Sequence, residues 1–491
     1  MGILKQIQAK REIAKSVQDP LAEVMKNIVP PDFLAIIYPE VAELRVQYEE
    51  SDDPDEKNQI AEKISKYKLQ QKNYITTTIS EVRKLAERLK LNLCTHNGAV
   101  YAYNGQYWHK VSDQELKNFL GDCAIAMKVP YHDAIYFEFR DRLLKQFLGE
   151  AYLPRPEPLK GVTLINLNNG TLEVSTEGEK LRPHDPKDFI TYVLTFGYDE
   201  YAKAPKFQKF LDQVLSKEKQ IVLSEYAGYT FVPHSSGLNL EKVLLCYGTG
   251  ANGKSVFFYI MNALLGHENV SNYPLFNITG MNGYWRAMLG EKLLNYSSEI
   301  GSQTNAPIFK QLASGEPIEA RHPYGKPFTM SNYAKLIFNT NSFLVGEQTD
   351  AFFRRFLIIH FDKTIAPEDQ DTELAKKIIT DELPGVLNWA LEGLKRLIKS
   401  KAFTYSEEIA KTLEDYRIAS DPVRSYLLEE GIEPGNRPYT LKEFYTDFCN
   451  FANDNGHRQI SSATLKKRLM EIGFETERKS QGWIVWTNKM H

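Results

Sequence analysis

The residues best suited to chemistry lie between Gly248 and Ser255. Gly248-Thr249-Gly250-Ala251-Asn252-Gly253-Lys254-Ser255 fits the pattern G-x-x-x-x-G-K-[ST]. Glycines let a loop double back with its N–H groups pointing inward, which makes a concavity for anions. A helix starting there adds the positive end of its dipole. Lys254 can reach the β- and γ-phosphates of a nucleoside triphosphate, and the Ser255 hydroxyl can hold Mg²⁺. The chemistry in view is nucleotide binding, with Gly248 through Val256 as the contact stretch.

That loop needs a strand before it and a helix after it. Val243 to Tyr247 is an uncharged run suited to a buried strand, and Val256 to Leu265 continues as a helix-compatible apolar run. Three more apolar runs follow. Lys292 to Tyr296 ends in Ser297-Ser298-Glu299, and a carboxylate at a strand tip can hold Mg²⁺ and polarise water. Lys335 to Phe338 ends in Asn339-Thr340-Asn341, where an amide can sense a phosphate. Asn-rich strand exits are also ordinary turn chemistry. Arg354-Arg355 sits among aromatics before Leu357 to Phe361; such a pair can serve a neighbouring subunit's nucleotide or be a plain solvated pair. Between the second and third runs lies Phe309 to Phe328. Its second half reads as a hairpin with Arg321, His322 and Lys326 near the tip, suited to phosphate contact and equally to an ordinary exposed tip.

The 491 residues suffice for roughly three domains. A hydrophobic share of 42%, a charged share of 25% and a net charge of −3 describe an ordinary soluble chain, so a nucleic-acid partner must be held by local patches. The four cysteines lie far apart, which suits reduced thiols in a cytoplasmic setting. No run approaches membrane-spanning length. Residues 1–90 read as a helical arm or oligomerisation region. Residues 91–215 read as mixed α/β, with hairpins around Asn104-Gly105 and Asn168-Asn169-Gly170. Residues 216–400 hold the loop and its strands. Residues 401–491 read as helices, then a basic helix with Lys466, Lys467 and Arg468, then a two-stranded hairpin. That is the order of a winged helix, whose basic helix enters a DNA groove.

Taken in order, these motifs resemble those of the superfamily-III helicases, in the branch of poxvirus and phage-satellite primase–helicases. Gly248 to Ser255 looks like the Walker A loop, Lys292 to Glu299 the Walker B strand, Phe309 to Phe328 the substrate-engaging hairpin, Leu336 to Asn341 the sensor strand, and Phe352 to Phe356 the arginine-finger segment. The resemblance implies an α/β fold: an AAA+-like P-loop NTPase core with a parallel sheet, helical N-terminal regions and a C-terminal winged helix. It implies Lys254, Glu299, Asn341 and one of Arg354 and Arg355 as catalytic groups, ATP and Mg²⁺ as ligands with Ser255 and Glu299 on the metal, and Lys310, Arg321, His322 and Lys326 on DNA. It further implies a homohexameric ring acting on single-stranded DNA in replication of a mobile element. Ser298 stands where many relatives have a second acidic residue, and the N-terminal region is too short for their primase–polymerase domain, so a primase or polymerase would be a separate chain. An ATP-switched initiator that separates no strands, or a nucleotide-dependent defence oligomer, remains an alternative on the same motifs.

Overall fold

The computed structural model describes residues 19–96, 99–153, 161–298, 300, 304–341, 349–455, 459–480 and 482–489. The chain divides into two compact units. One lies within Met1–Pro158, Leu164–Glu173 and Glu179–Tyr198; the other lies within Leu159–Thr163, Val174–Gly178 and Asp199–His491.

The first unit is built on Gln71–Arg88. Ile75, Ile79, Val82 and Leu85 recur at helical spacing and are all buried. They share one core with Leu21 and Val24, with Leu116, Phe119 and Leu120 of Asp113–Ala126, and with Phe139, Leu143 and Phe147 of Phe137–Glu150. Residues Leu21 to Phe33 and the helix Gln71–Arg88 are therefore part of one core with the segment after residue 90. The apolar stripe of that helix is satisfied by the segment that follows it, and the expected boundary at residue 90 falls inside a core. The hairpin around Asn104-Gly105 forms, with Tyr103 opposite Trp108. Asn104 accepts from the Gln106 and Tyr107 amides, each at 3.0 Å, which folds the turn.

In the second unit a five-stranded parallel sheet runs through the middle: β1 (Val243–Tyr247), β2 (Val270–Ser271), β3 (Leu294–Ser297), β4 (Lys335–Thr340) and β5 (Phe356–His360), in the order β5-β1-β4-β3-β2. Parallel strands buried on both faces read as continuous apolar runs, as these do. Helices Lys217–Tyr229 and Leu383–Ser400 cross in backbone contact: a Cβ on Gly393 would lie 2.2 Å from the Ser224 carbonyl. Inside that crossing Glu225 is fully buried and accepts from Arg396 at 3.2 Å and from the Thr404 amide at 2.8 Å. A buried carboxylate needs such partners.

The tail begins later than its expected start at residue 401. Helix Glu407–Ser420 still belongs to the sheet, because Tyr416 packs edge-on against Phe353 and Phe356 at 5.6 and 5.9 Å. From Asp421 a new core forms around Tyr426, Phe444, Phe448, Leu465, Leu469 and Val485. Helices Pro422–Glu429, Leu441–Asp454 and Ser462–Ile472 cover a three-stranded antiparallel sheet of Pro434–Thr440, Gly482–Thr487 and Thr476–Lys479, in that order across the sheet. The strand Pro434–Thr440 was not expected. Two prolines and a glycine argue against a strand, yet an edge strand with a register shift between Pro434 and Arg437 tolerates them.

Candidate functional site

The glycine loop leaves the carboxyl end of β1 and enters helix Lys254–Leu265. Its backbone is one that side chains resist. Gly248 has φ 156°, and a Cβ there would lie 2.2 Å from the Asn252 amide nitrogen and 2.6 Å from the Phe361 carbonyl oxygen. Gly253 has φ 89°, and its Cβ would strike the Phe210 ring at 2.7 Å. Asn252 pins the loop by donating to the Phe361 carbonyl at 3.0 Å, and the Ile365 amide donates to the Ala251 carbonyl at 2.9 Å. Lys254 is buried. Its ammonium donates to the Gly248 carbonyl at 2.5 Å and to Asn252 Oδ1 at 3.0 Å, and burial lowers its pKa. The helix starts at Gly253 without a side-chain cap, so no side chain competes for its first N–H groups.

The sheet order brings two more strand tips to this loop. Thr340 of β4 pairs with Tyr247 of β1, and Phe338 of β4 pairs with Ser297 of β3. The carboxyl ends of β1, β4 and β3 are therefore neighbours. They frame a cavity of about 420 Å³ lined by Gly250 to Val256, Ser298, Asn339 and Asn341. Ligands of open parallel sheets sit at such strand ends. Asn341 is exposed there. Asn339, buried within β4, accepts from the Tyr296 hydroxyl at 2.9 Å, so its amide is already oriented. Glu299 lies outside the described residues, next after Ser298.

Other walls of the cavity come from segments with no motif. Phe210 and Gln213 lie on helix Pro205–Val214, and Gln370, Asp371 and Leu374 come from beyond β5. The expected boundary at residue 215 thus cuts a helix away from the cavity it helps to line. Only the strain at Gly253 reports that packing, and strain is invisible in a string of letters. For Mg²⁺ the donors suit a shared ion. Ser255 offers an exposed hydroxyl at the helix start and Ser298 another across the cavity, while no group of three His, Cys, Asp or Glu among the described residues can cage a metal. Magnesium keeps waters and takes ligands from phosphates, so such a sparse set fits it.

Arg354 and Arg355 lie at the opposite end of the sheet. Val243 pairs with Phe356 at the start of both strands, and Tyr247 pairs with His360 at their ends. The intervening five residues span roughly 16 Å, so neither arginine reaches the loop of its own chain. The two differ sharply. Arg355 is only 9% exposed and donates to Ser314 Oγ at 3.0 Å and to the Ala351 carbonyl. Arg354 is exposed, with its guanidinium 3.6 Å from Glu241. As a group presented to another subunit, Arg355 is a correction: its donors are spent inside its own chain.

The expected hairpin forms from Ile318–Arg321 and Pro327–Met330, with Arg321 opposite Pro327. Arg321, His322, Tyr324 and Lys326 are all exposed at its tip. Arg321 donates to the Gly325 carbonyl at 3.0 Å, and the His322 ring stacks on Phe328 at 5.3 Å. Its base is firm. Buried Arg286 donates to the Glu319 carbonyl at 2.9 Å and to the Gly280 carbonyl at 2.7 Å. Lys310 sits half-buried on helix Ala306–Ser314, away from the tip in sequence.

In the tail, Lys467 is exposed beside Glu471 and Lys466 lies over the Trp483 ring at 3.5 Å. Arg468 is turned inward to buried Asp421 and also reaches Glu471 at 3.3 Å. The basic helix therefore offers two lysines to a ligand where three cations were expected. Among the described residues no helix is long and apolar enough to cross a membrane.

Comparison with known proteins adds two family matches and a set of structures. Residues 82–216 match the family described as D5 N terminal like, and residues 246–355 match a family of unknown function, DUF5906. Similar solved structures include an A-form apo structure of the NrS-1 C-terminal region, at 11% identity and TM-score 0.45, covering 82% of this chain and 97% of that one. Another, of NrS-1 residues 305–718, has 12% identity and TM-score 0.44, covering 82% and 98%.

Proposed function

We propose that this chain is an ATP-driven DNA helicase that acts as a homohexameric ring on single-stranded DNA, in replication of a phage, plasmid or other mobile element. The observation that carries this reading is the convergence of a glycine loop, Lys254 and two polar strand tips on one cavity. The D5 N-terminal-like match supports the replication setting.

Phosphates would lie along the loop N–H groups at the start of helix Lys254–Leu265. Lys254 would exchange its loop carbonyl for β- and γ-phosphate oxygens. Ser255 would hold Mg²⁺ with Glu299 near it, and the ion, when bound, neutralises phosphate charge. Glu299 would polarise the attacking water, and Asn341 would contact the γ-phosphate. Arg354 would reach the nucleotide of the neighbouring copy, since it lies at the wrong end of its own sheet. Arg321, His322 and Lys326 would hold DNA phosphates. Lys466 and Lys467 would contact duplex DNA from a winged-helix tail.

The test is ATP hydrolysis with and without single-stranded DNA, with the mass of the particle measured in the same buffer. Turnover that rises with single strands in a ring-sized particle, and that Lys254→Ala abolishes, is the expected result. Slow turnover indifferent to single strands, in a particle that assembles on duplex DNA, would replace this reading with an ATP-switched initiator.

A further inference from the structure

Arg355 is a buried arginine that touches both the hairpin's support and the segment carrying Arg354. Its Nε and Nη2 donate to Ser314 Oγ at 3.4 and 3.0 Å. Its Nη1 donates to the Ala351 carbonyl, and its own carbonyl accepts from the Val243 amide at 2.8 Å. Ser314 is the last residue of helix Ala306–Ser314; Gly315 follows at φ 67°, and the hairpin begins at Ile318. Ser314 is itself held from a second side, because Asn239 donates to its carbonyl.

An aromatic layer runs beside this polar one. Phe309, on the same helix as Ser314, stacks on Phe356 at 4.9 Å and meets Phe352 at 5.0 Å. Phe352 and Phe356 flank Arg354 and Arg355 in sequence. Tyr333 closes the other side: its hydroxyl donates to the Glu316 carbonyl at 3.0 Å, just ahead of the hairpin. The hairpin's entry and the arginine segment are therefore packed together, and the Arg355–Ser314 contact is the directional one between them.

We propose that Arg355 is a positioning residue that couples the hairpin to Arg354, so that DNA held at the tip sets how Arg354 meets the adjacent subunit's nucleotide. This rests on the ring-motor reading above. The planar guanidinium fixes direction as well as distance, which a lysine at this place cannot do. Aromatic packing alone keeps the two segments together without fixing their angle.

The test uses Ser314→Ala in the full chain, with Ser314→Thr as the variant that keeps the hydroxyl. Ser314 touches neither loop nor tip. The readouts are basal ATP turnover, turnover with a single-stranded oligonucleotide, oligonucleotide affinity and thermal midpoint. The expected result for Ser314→Ala is basal turnover and affinity like the parent's, with stimulation by DNA reduced about fivefold or more, the scale of an ordinary intersite coupling. Ser314→Thr restores the stimulation. Full stimulation in a folded Ser314→Ala protein overturns the coupling and leaves the motor reading standing. An equal drop in basal and stimulated turnover also overturns it, because that is what a purely structural serine gives. A parent protein without DNA-stimulated turnover removes both proposals together.

Discussion

The two ends of the central sheet are built by opposite rules. At the carboxyl end, the glycine loop and the polar residues Ser255, Ser298 and Asn341 face an open cavity, and buried Lys254 is held by the loop's own oxygens. At the amino end, long side chains are packed away from water. Arg355 is spent on Ser314 and Ala351, and Lys335 lies buried with its ammonium 3.0 Å from His234 Nδ1 and 4.1 Å from the centre of the Tyr229 ring. One end leaves its polar groups open to a cavity. The other is arranged to keep its partners, with Arg354 as the group it presents outward. On the proposed reading, the same five strands would separate a place for binding from a place for transmission.

The strongest way to break that comparison is to test whether the two ends serve different copies. Lys254→Ala and Arg354→Ala should each lower ATP turnover on the order of a thousandfold. Mixed in equal amounts and allowed to reassemble, the two inactive proteins should recover turnover, because roughly a quarter of subunit boundaries then pair an intact loop with an intact arginine. No recovery, with subunit exchange confirmed by mass, would mean that Arg354 does not act across a boundary.

A second contrast sharpens the loop end. Gly248→Ala forces a methyl against the Phe361 carbonyl and Asn252, and should lower stability by about 3 kcal/mol as well as abolishing nucleotide binding. Gly250→Ala meets nothing within 4 Å and bears only the left-handed backbone at φ 129°, about 1 kcal/mol. Urea midpoints of the two variants separate crowding from backbone strain.

The amino end should answer to acid. Burial and the neighbouring Lys335 push His234 down to about 2, from an ordinary value of 6.5. His234 stays neutral in the fold, whereas the unfolded chain takes up a proton below about pH 6.5. The stability it contributes is complete above that pH and is lost as pH falls toward the folded value, by up to about 2 kcal/mol at pH 5. Comparing urea midpoints at pH 7.5 and 5 for the parent and His234→Gln checks this; the variant should lack that part of the fall. The smallest effect expected lies in the tail. Lys467→Ala should weaken duplex binding modestly and reduce the slope of log affinity against log salt by about one, the mark of one lost phosphate contact.

What could be read from the residues alone follows the same division. The loop's shape was legible because it is local: eight consecutive residues carry the turn and the helix start. The strands were legible as apolar runs, and the hairpin tip as a cluster of basic residues. The choice between Arg354 and Arg355 was not legible. It depends on Ser314, about forty positions upstream, and adjacent identical letters carry no sign of which one is buried. Phe210 and Gln213 were missed for a related reason, since their helix reaches the cavity only through the fold. The strand Pro434–Thr440 was missed because its prolines speak against a strand and only its edge position permits one.

Lys254 carries one further consequence. A ligand entering the loop does not meet a bare cation; it meets one already bridging Gly248 and Asn252. Each bond given up is made by an ammonium and is worth about 2 kcal/mol net, so a small anion that replaces only one of them would gain little. A polyphosphate can displace the bridge and occupy the amide nest together. If the loop takes a nucleotide as proposed, its own oxygens would act as a resident competitor, a filter that sulfate or a single phosphate would pass poorly and a chain of phosphates would pass well.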